Sequence, residues 1–269
     1  MDMPVTVPCG QCIGCRLERS RQWAMRCVHE ASLYTQNCFI TLTYRQDNLP
    51  EDFGLRKEHF QKFMKRLRRK YPDQKIRYFH CGEYGGKNLR PHYHACLFNF
   101  DFDDKVLFST RDNIPLYTSN SLSDLWPDGF STVGAVTFES AAYVARYITK
   151  KITGDKAEKA YRRVDPVTGE EYRVIPEYTT MSRRPGIGHA WYKQFKDDCY
   201  PSDYLILRGK KMQPPKYYDG LYEHIDEIKT DRKKRAKKHE AENTTERLLV
   251  REKVKLQQIK SLKRQLDED

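Results

Sequence analysis

Apolar residues recur along this chain in two rhythms. From Glu58 to Tyr71, Phe60, Phe63, Met64, Leu67 and Tyr71 fall three or four positions apart, while Lys62, Lys65, Arg66, Arg68, Arg69 and Lys70 fill the other faces. That spacing predicts an amphipathic helix with a basic exterior. A second helix is predicted from Arg16 to Leu33, where Leu17, Ala24, Met25 and Val28 can pack and Arg16, Arg19, Arg21 and Arg26 cannot. The other rhythm is that of strands. Phe39 to Tyr44, Ile76 to Cys81, Arg90 to Phe98 and Phe130 to Phe138 are short runs rich in β-branched and aromatic residues. Gly85-Gly86-Lys87-Asn88 turns the second run back on the third as an antiparallel hairpin. Asp101 to Asp128 reads as an unpatterned connection. Ser140 is the expected cap of a helix over the alanine-rich segment that follows. Thr168-Gly169 predicts a further hairpin between Tyr161–Val164 and Tyr172–Ile175, and Met181 to Gly188 a basic turn.

After about Glu223 the pattern changes to a charged stretch without glycine or proline, built around the basic block Lys229 to Lys238. It reads as a solvated helix or a disordered tail. Three segments result: a cysteine-rich basic segment (1–35) packed on the core, a main domain (36–223) and a charged tail (224–269). The fold class expected is α+β, a central antiparallel sheet flanked by helices.

Charge narrows the partner. Forty-nine lysines and arginines give a formal net charge of +12, which points to a polyanion, nucleic acid first. No run approaches the roughly 18 apolar residues of a membrane helix, and a signal-peptide core is absent at the start of the sequence, so a cytosolic setting with reduced cysteines is expected. Cys9, Cys12 and Cys15 then suggest a structural zinc site, with Cys27 or His29 as the fourth ligand. The competing reading is a reduced cysteine-rich loop.

Two motifs carry the chemistry. His92-Tyr93-His94 sits on a strand, so both imidazoles project from one face and can hold a divalent ion; the Gly85-Gly86 turn can bring the Glu83 carboxylate across to them. Tyr143 and Tyr147 stand one helical turn apart, about 6 Å along the axis, with Arg146, Lys150 and Lys151 as cations close by. A phenol of ordinary pKa near ~10 needs such a field to act as a nucleophile. Gly82 to Lys87 is no Walker A loop, since Cys81 and Asn88 occupy its required glycine and hydroxyl positions. Together the motifs point to metal-assisted attack by tyrosine on DNA. The alternative is a non-enzymatic single-strand-binding module in which Tyr44 and Tyr93 stack on bases. A phosphotransferase or hydrolase using His92 or His94 is a third reading.

Those residues resemble the HUH superfamily of replication initiators, relaxases and transposases, most closely the rolling-circle replication initiators of the microviruses, in their gokushovirus branch. Phe39-Ile40-Thr41-Leu42-Thr43-Tyr44 is similar to the first family motif, Pro91-His92-Tyr93-His94 to the histidine motif, and Tyr143-x-x-x-Tyr147 with Lys150-Lys151 to the two-tyrosine motif. The resemblance also takes in Pro8 to Cys12, Ser182 to Gly188 and Pro214 to Asp219. It implies an RNA-recognition-like sheet with the histidine strand facing the tyrosine helix, and Mg²⁺ or Mn²⁺ on His92, His94 and Glu83. It further implies nicking of a single-stranded DNA origin through a 5′-phosphotyrosine, and later rejoining. Arg146, Arg183 and Arg184 are the expected DNA contacts, a host helicase and polymerase the expected partners, and the cytoplasm of the bacterial host the expected location.

Overall fold

A computed structural model describes residues 8–86, 88–111, 113–150, 155–164 and 168–260. In chain order these form α1 (Ile13–Ala31), β1 (Asn37–Thr43), α2 (Lys57–Lys70), β2 (Arg77–Tyr84), β3 (Pro91–Phe98), β4 (Lys105–Arg111), β5 (Ile114–Ser119), α3 (Asn120–Leu125), β6 (Ser131–Gly134), α4 (Phe138–Lys150), α5 (Asp155–Tyr161), β7 (Arg162–Val164), β8 (Glu171–Arg173), β9 (Tyr178–Met181), α6 (His189–Cys199), β10 (Leu205–Leu207), β11 (Lys210–Met212), α7 (Lys216–Asp219), α8 (Ile225–Lys238) and α9 (Thr245–Lys260). The expected α+β fold is the one found. A seven-stranded sheet runs β4-β5-β6-β1-β3-β2-β9, with antiparallel neighbours throughout.

The pleat decides what each face buries. Ile40 and Leu42 of β1 and Tyr93, Ala95 and Leu97 of β3 point to one side, where Phe60, Phe63, Met64 and Leu67 of α2 cover them. Phe39, Phe79, Cys81, Cys96 and Phe98 point to the other, under Ala24 and Cys27 of α1 and Ala141, Val144 and Ala145 of α4. β3 is therefore buried along its whole length. Alanines at the α1–α4 contact let the two backbones approach, and Ser20 Oγ donates to the carbonyl of Ala142 at 3.0 Å.

Several expectations need correction. β2 continues to Tyr84, so Glu83 lies inside the strand and not in its turn. The Asp101–Asp128 connection carries the β4–β5 hairpin and α3. Its alternation is hidden because Val106, Leu107 and Phe108 are consecutive and exposed and a bulge interrupts the register between Leu107 and Ser109. The strand expected from Phe130 to Phe138 ends at Gly134, and the cap of α4 is Thr137. Thr137 Oγ1 accepts from the Ser140 amide at 3.1 Å while Ser140 Oγ accepts from the Thr137 amide at 2.8 Å, a reciprocal capping box.

The charged tail begins tied to the body. Ile228 is buried, and the Arg232 guanidinium donates to Asp203 (2.6 Å) and Asp219 (2.7 Å), both buried carboxylates. No described helix is long and apolar enough to cross a membrane.

Candidate metal and tyrosine site

The β2–β3 register makes Glu83 the direct partner of His92 and Cys81 that of His94, which puts Glu83, His92 and His94 on the α1–α4 face. Nε2 of His92 lies 3.0 Å and Nε2 of His94 2.8 Å from the same carboxylate oxygen, Oε1 of Glu83. From α4 the Tyr143 hydroxyl donates to that oxygen at 3.1 Å. Its ring meets His94 edge to face at 5.0 Å, and the Arg146 guanidinium sits 5.7 Å from the ring centre. Glu83 and His94 are each about 1% exposed and Tyr143 4%; His92, at 9%, is the most open member.

Outer partners aim the imidazoles. His92 Nδ1–H donates to the Arg90 carbonyl at 3.0 Å. A carbonyl only accepts, so in the neutral ring the lone pair is on Nε2, facing Glu83. His94 Nδ1 is hydrogen-bonded to Thr41 Oγ1 at 2.9 Å, leaving its Nε2 inward as well. Two imidazole lone pairs facing a carboxylate require a positive species between them, a proton or a metal ion. The three ligand atoms lie within 4.8 Å of one another, and the donor set of two imidazoles and one carboxylate suits a divalent ion with positions left open. Burial alone would raise the Glu83 pKa, but the hydrogen bonds from His92 and His94 outweigh it and hold the carboxyl down at about 2. Thr41 escaped the sequence reading. The available signal was parity, since Phe39, Thr41 and Thr43 share a face of β1 and two of the three are polar.

Tyr147 and Lys150 lie on α4 one and two turns beyond Tyr143, but their side chains are outside the description, and Lys151 is outside the described residues. Arg183 and Arg184 are not near the metal ligands. They line a basic groove of about 700 Å³ with Arg68, Lys75 and Arg77, at the opposite end of β2 from Glu83, roughly 20 Å away at ~3.3 Å per residue. A buried ion pair that the sequence did not reveal anchors this loop. Glu30 of α1 pairs with Arg77 of β2, then Glu30 accepts from the Gly188 amide at 2.7 Å while Arg77 donates to the Pro185 carbonyl at 3.0 Å. Tyr44 and Tyr93 are buried beneath α2, hydrogen-bonded to each other at 2.6 Å, and offer no ring to a strand.

A second cluster stands at the start of α1. Cys9, Cys12 and Cys15 bring their sulfurs within 4.8 Å of one another, with 3.9 Å between Cys9 and Cys15. The Cys12 amide donates to Cys9 Sγ at 3.2 Å, and this bond, with another from Gln11, lowers the Cys9 thiol to about 7. Neither expected fourth ligand is there. Cys27 lies twelve residues along α1 from Cys15, roughly 18 Å, and is buried in the core with Cys96. His29 is stacked on Trp191 at 3.6 Å and hydrogen-bonded to the Tyr218 hydroxyl at 2.9 Å.

Comparison with known proteins agrees with this geometry. The family model for replication-associated protein ORF2 matches residues 37–152, which hold the histidine strand, Glu83 and the tyrosine helix. Replication-associated protein ORF2 of Spiroplasma virus 4 is 36% identical over 254 residues, covering 87% of this chain and 75% of that protein. This chain belongs to the replication-associated proteins of the microviruses. Within that family, replication-associated protein VP4 of Bdellovibrio phage phiMH2K is 35% identical over 80% of this chain and 67% of its own. Replication-associated protein ORF4 of Chlamydia phage 1 is 29% identical over 80% and 53%. No solved structure matches the chain.

Proposed function

We propose that this chain is the replication initiator of a single-stranded DNA phage, a metal-dependent endonuclease and strand transferase that cuts the origin strand with a tyrosine and later rejoins it. The observation that carries this reading is the convergence of the Tyr143 hydroxyl and both imidazoles on Glu83 Oε1. A nucleophile and three metal-ligand atoms share one small, largely buried space, while the surface is strongly basic.

When bound, Mg²⁺ or Mn²⁺ would withdraw charge from the scissile phosphate. His92, His94 and Glu83 hold the ion. Thr41 and the Arg90 carbonyl fix the imidazoles, so that little reorganisation remains when charge develops. Tyr143 Oη attacks phosphorus as the bond to the 3′ oxygen breaks; the phenol gives up its proton and the departing 3′ oxygen acquires one. The phosphodiester becomes a 5′-phosphotyrosine with a free 3′-hydroxyl that a host polymerase can extend. Because one ester replaces another, rejoining needs no nucleotide cofactor. Arg146 contributes positive charge beside Tyr143. Tyr147, one turn on, takes the second cleavage while Tyr143 still holds the first end, and Lys150 and Lys151 extend the cationic field. Duplex opening falls to a host helicase, and the site of action is the cytoplasm of the infected cell. Arg183 and Arg184 would hold the strand at a distance from the chemistry.

The thiol cluster fits a structural zinc ion. Tetrahedral coordination at about 2.3 Å places sulfurs about 3.8 Å apart, close to the 3.9 Å between Cys9 and Cys15. The three-thiol set would be completed by a ligand other than Cys27.

Incubation with single-stranded phage DNA and Mg²⁺ or Mn²⁺, followed by mapping of the DNA-linked peptide, tests the proposal. The expected result is an adduct on Tyr143 or Tyr147; an adduct on any other residue, or none on the phage's own origin, overturns it.

A further inference from the structure

The helical layer over the metal site stops short of one half of its sheet. α1 and α4 cover β1, β3 and β2, whereas the β4–β5–β6 half carries Val106 (65% exposed), Phe108 (56%) and Phe130 (47%). Phe108 and Phe130 contact each other, ring centres 5.4 Å apart. Register places them relative to the site. Thr43 is the partner of His92 across β1 and β3. On its other side Thr43 follows the ladder that pairs Thr41 with Thr132 and Leu42 with Ser131, so Phe130 stands opposite it, and the Thr43 amide donates to the Phe130 carbonyl at 2.9 Å. Residues directly opposed across antiparallel strands share a face. His92, Thr43 and Phe130 thus form one row on the site face, with Phe130 two strand spacings, about 10 Å, from His92. This is also the end where the site opens, because His92 is its most exposed ligand.

The position of Phe130 is built in. A Cβ on Gly129 would lie 1.9 Å from the Thr43 carbonyl oxygen, so only glycine lets the chain press against β1 here. Arg45, two residues beyond Thr43 along the same extended run, is exposed beside this row.

We infer that Phe130 and Phe108 form a stacking platform for bases of single-stranded DNA next to the phosphate held at the metal site. The inference rests on the proposed nicking reaction for its substrate. Exposed rings, an adjacent cation, a net charge of +12 and continuity with the mouth of the site all favour a nucleic-acid strand as the occupant. Stacking would hold the strand without reading its sequence, since every base has a π-face, while backbone charge is met elsewhere on the surface.

The test uses the full chain with both Tyr143→Phe and Tyr147→Phe, so that binding is measured without covalent capture. Two probes of equal length are compared, an oligodeoxythymidylate and its abasic counterpart. Phe130→Ala and Phe108→Ala are each expected to weaken binding of the base-bearing strand about tenfold and to leave the abasic strand unchanged, while Phe130→Trp keeps both. Equal loss on the two probes, or loss on neither with unchanged thermal melting, overturns the platform. So does a Phe130→Ala variant that turns a dimer into a monomer at unaltered affinity, since the patch would then be a self-association surface. Failure of the wild-type chain to form any adduct while Phe130→Ala still loses base-dependent binding would overturn the nicking reading and leave the platform standing.

Discussion

Glu83 and His92 are register partners near the open end of the β2–β3 hairpin, and Oε1 of one lies 3.0 Å from Nε2 of the other. The hairpin turn therefore does more than reverse the chain. It sets which carboxylate meets which imidazole, and a slip of one residue would send Glu83 to the α2 face.

Removing a ligand should abolish cleavage before it abolishes binding. His94→Ala is expected to reduce nicking at least a thousandfold on the order-of-magnitude scale of lost electrostatic stabilisation, while salt-dependent DNA binding changes less than threefold, about the scale of one lost surface contact. Chelator should reproduce the loss in the wild type. Full activity in chelator would exclude a metal-dependent site.

The two tyrosines should separate in a termination assay. Tyr143→Phe is expected to lose the adduct that forms at the metal site and Tyr147→Phe to retain initiation but fail to release circles; the double variant should form no adduct. Retention of adduct in the double variant, seen on denaturing gels, would place the nucleophile elsewhere.

Zinc analysis decides the role of the thiol cluster. Reduced protein should carry close to one equivalent, lost in Cys12→Ser, with a melting temperature lowered by several degrees. Metal-free wild type with a protease-resistant N-terminal helix would refute a structural ion.

Acid should weaken the fold well above the carboxylate range. Burial lowers the His29 pKa to about 3 and pushes that of His80 well below the usual 6.5. From pH 6.5 down to the folded pKa the unfolded chain binds protons that the folded chain does not, so stability falls with falling pH, by up to about 1.4 kcal/mol per pH unit for each group. The Glu83 contribution has its own window. It is complete above the unfolded pKa of 4.5 and is lost as pH drops toward about 2. Chemical denaturation between pH 7 and pH 4 should show the histidine slope, shallower in His29→Asn; identical slopes would sink the assignment.

Arg232 should matter more than its place in a charged tail suggests. Arg232→Ala leaves the Asp203 and Asp219 carboxylates buried without their main cation, although Arg235 still reaches Asp203. A cost of about 3 kcal/mol is expected. Deletion of residues 239–269 should instead leave stability unchanged and reduce the salt slope of DNA binding. An Arg232→Ala variant as stable as the wild type would show that α8 is only loosely attached.

Local pattern determined a good deal. The period of three to four predicted α2, the alternating histidines set their common face, and the i, i+4 tyrosines set one helical side, because these depend only on backbone geometry within a few residues. Thr168-Gly169 likewise announced the β7–β8 hairpin. Only the tertiary structure decided the rest. It assigned Thr41 to His94, paired Glu30 with Arg77, took Cys27 and His29 into the core, and buried Tyr44 and Tyr93 while exposing Phe108 and Phe130. Each of these turns on which strand lies beside which, and on where the covering helices end. Such non-local pairings leave no periodic trace in the sequence, since a threonine or phenylalanine on a strand reads the same whether a helix, an imidazole or solvent stands across from it.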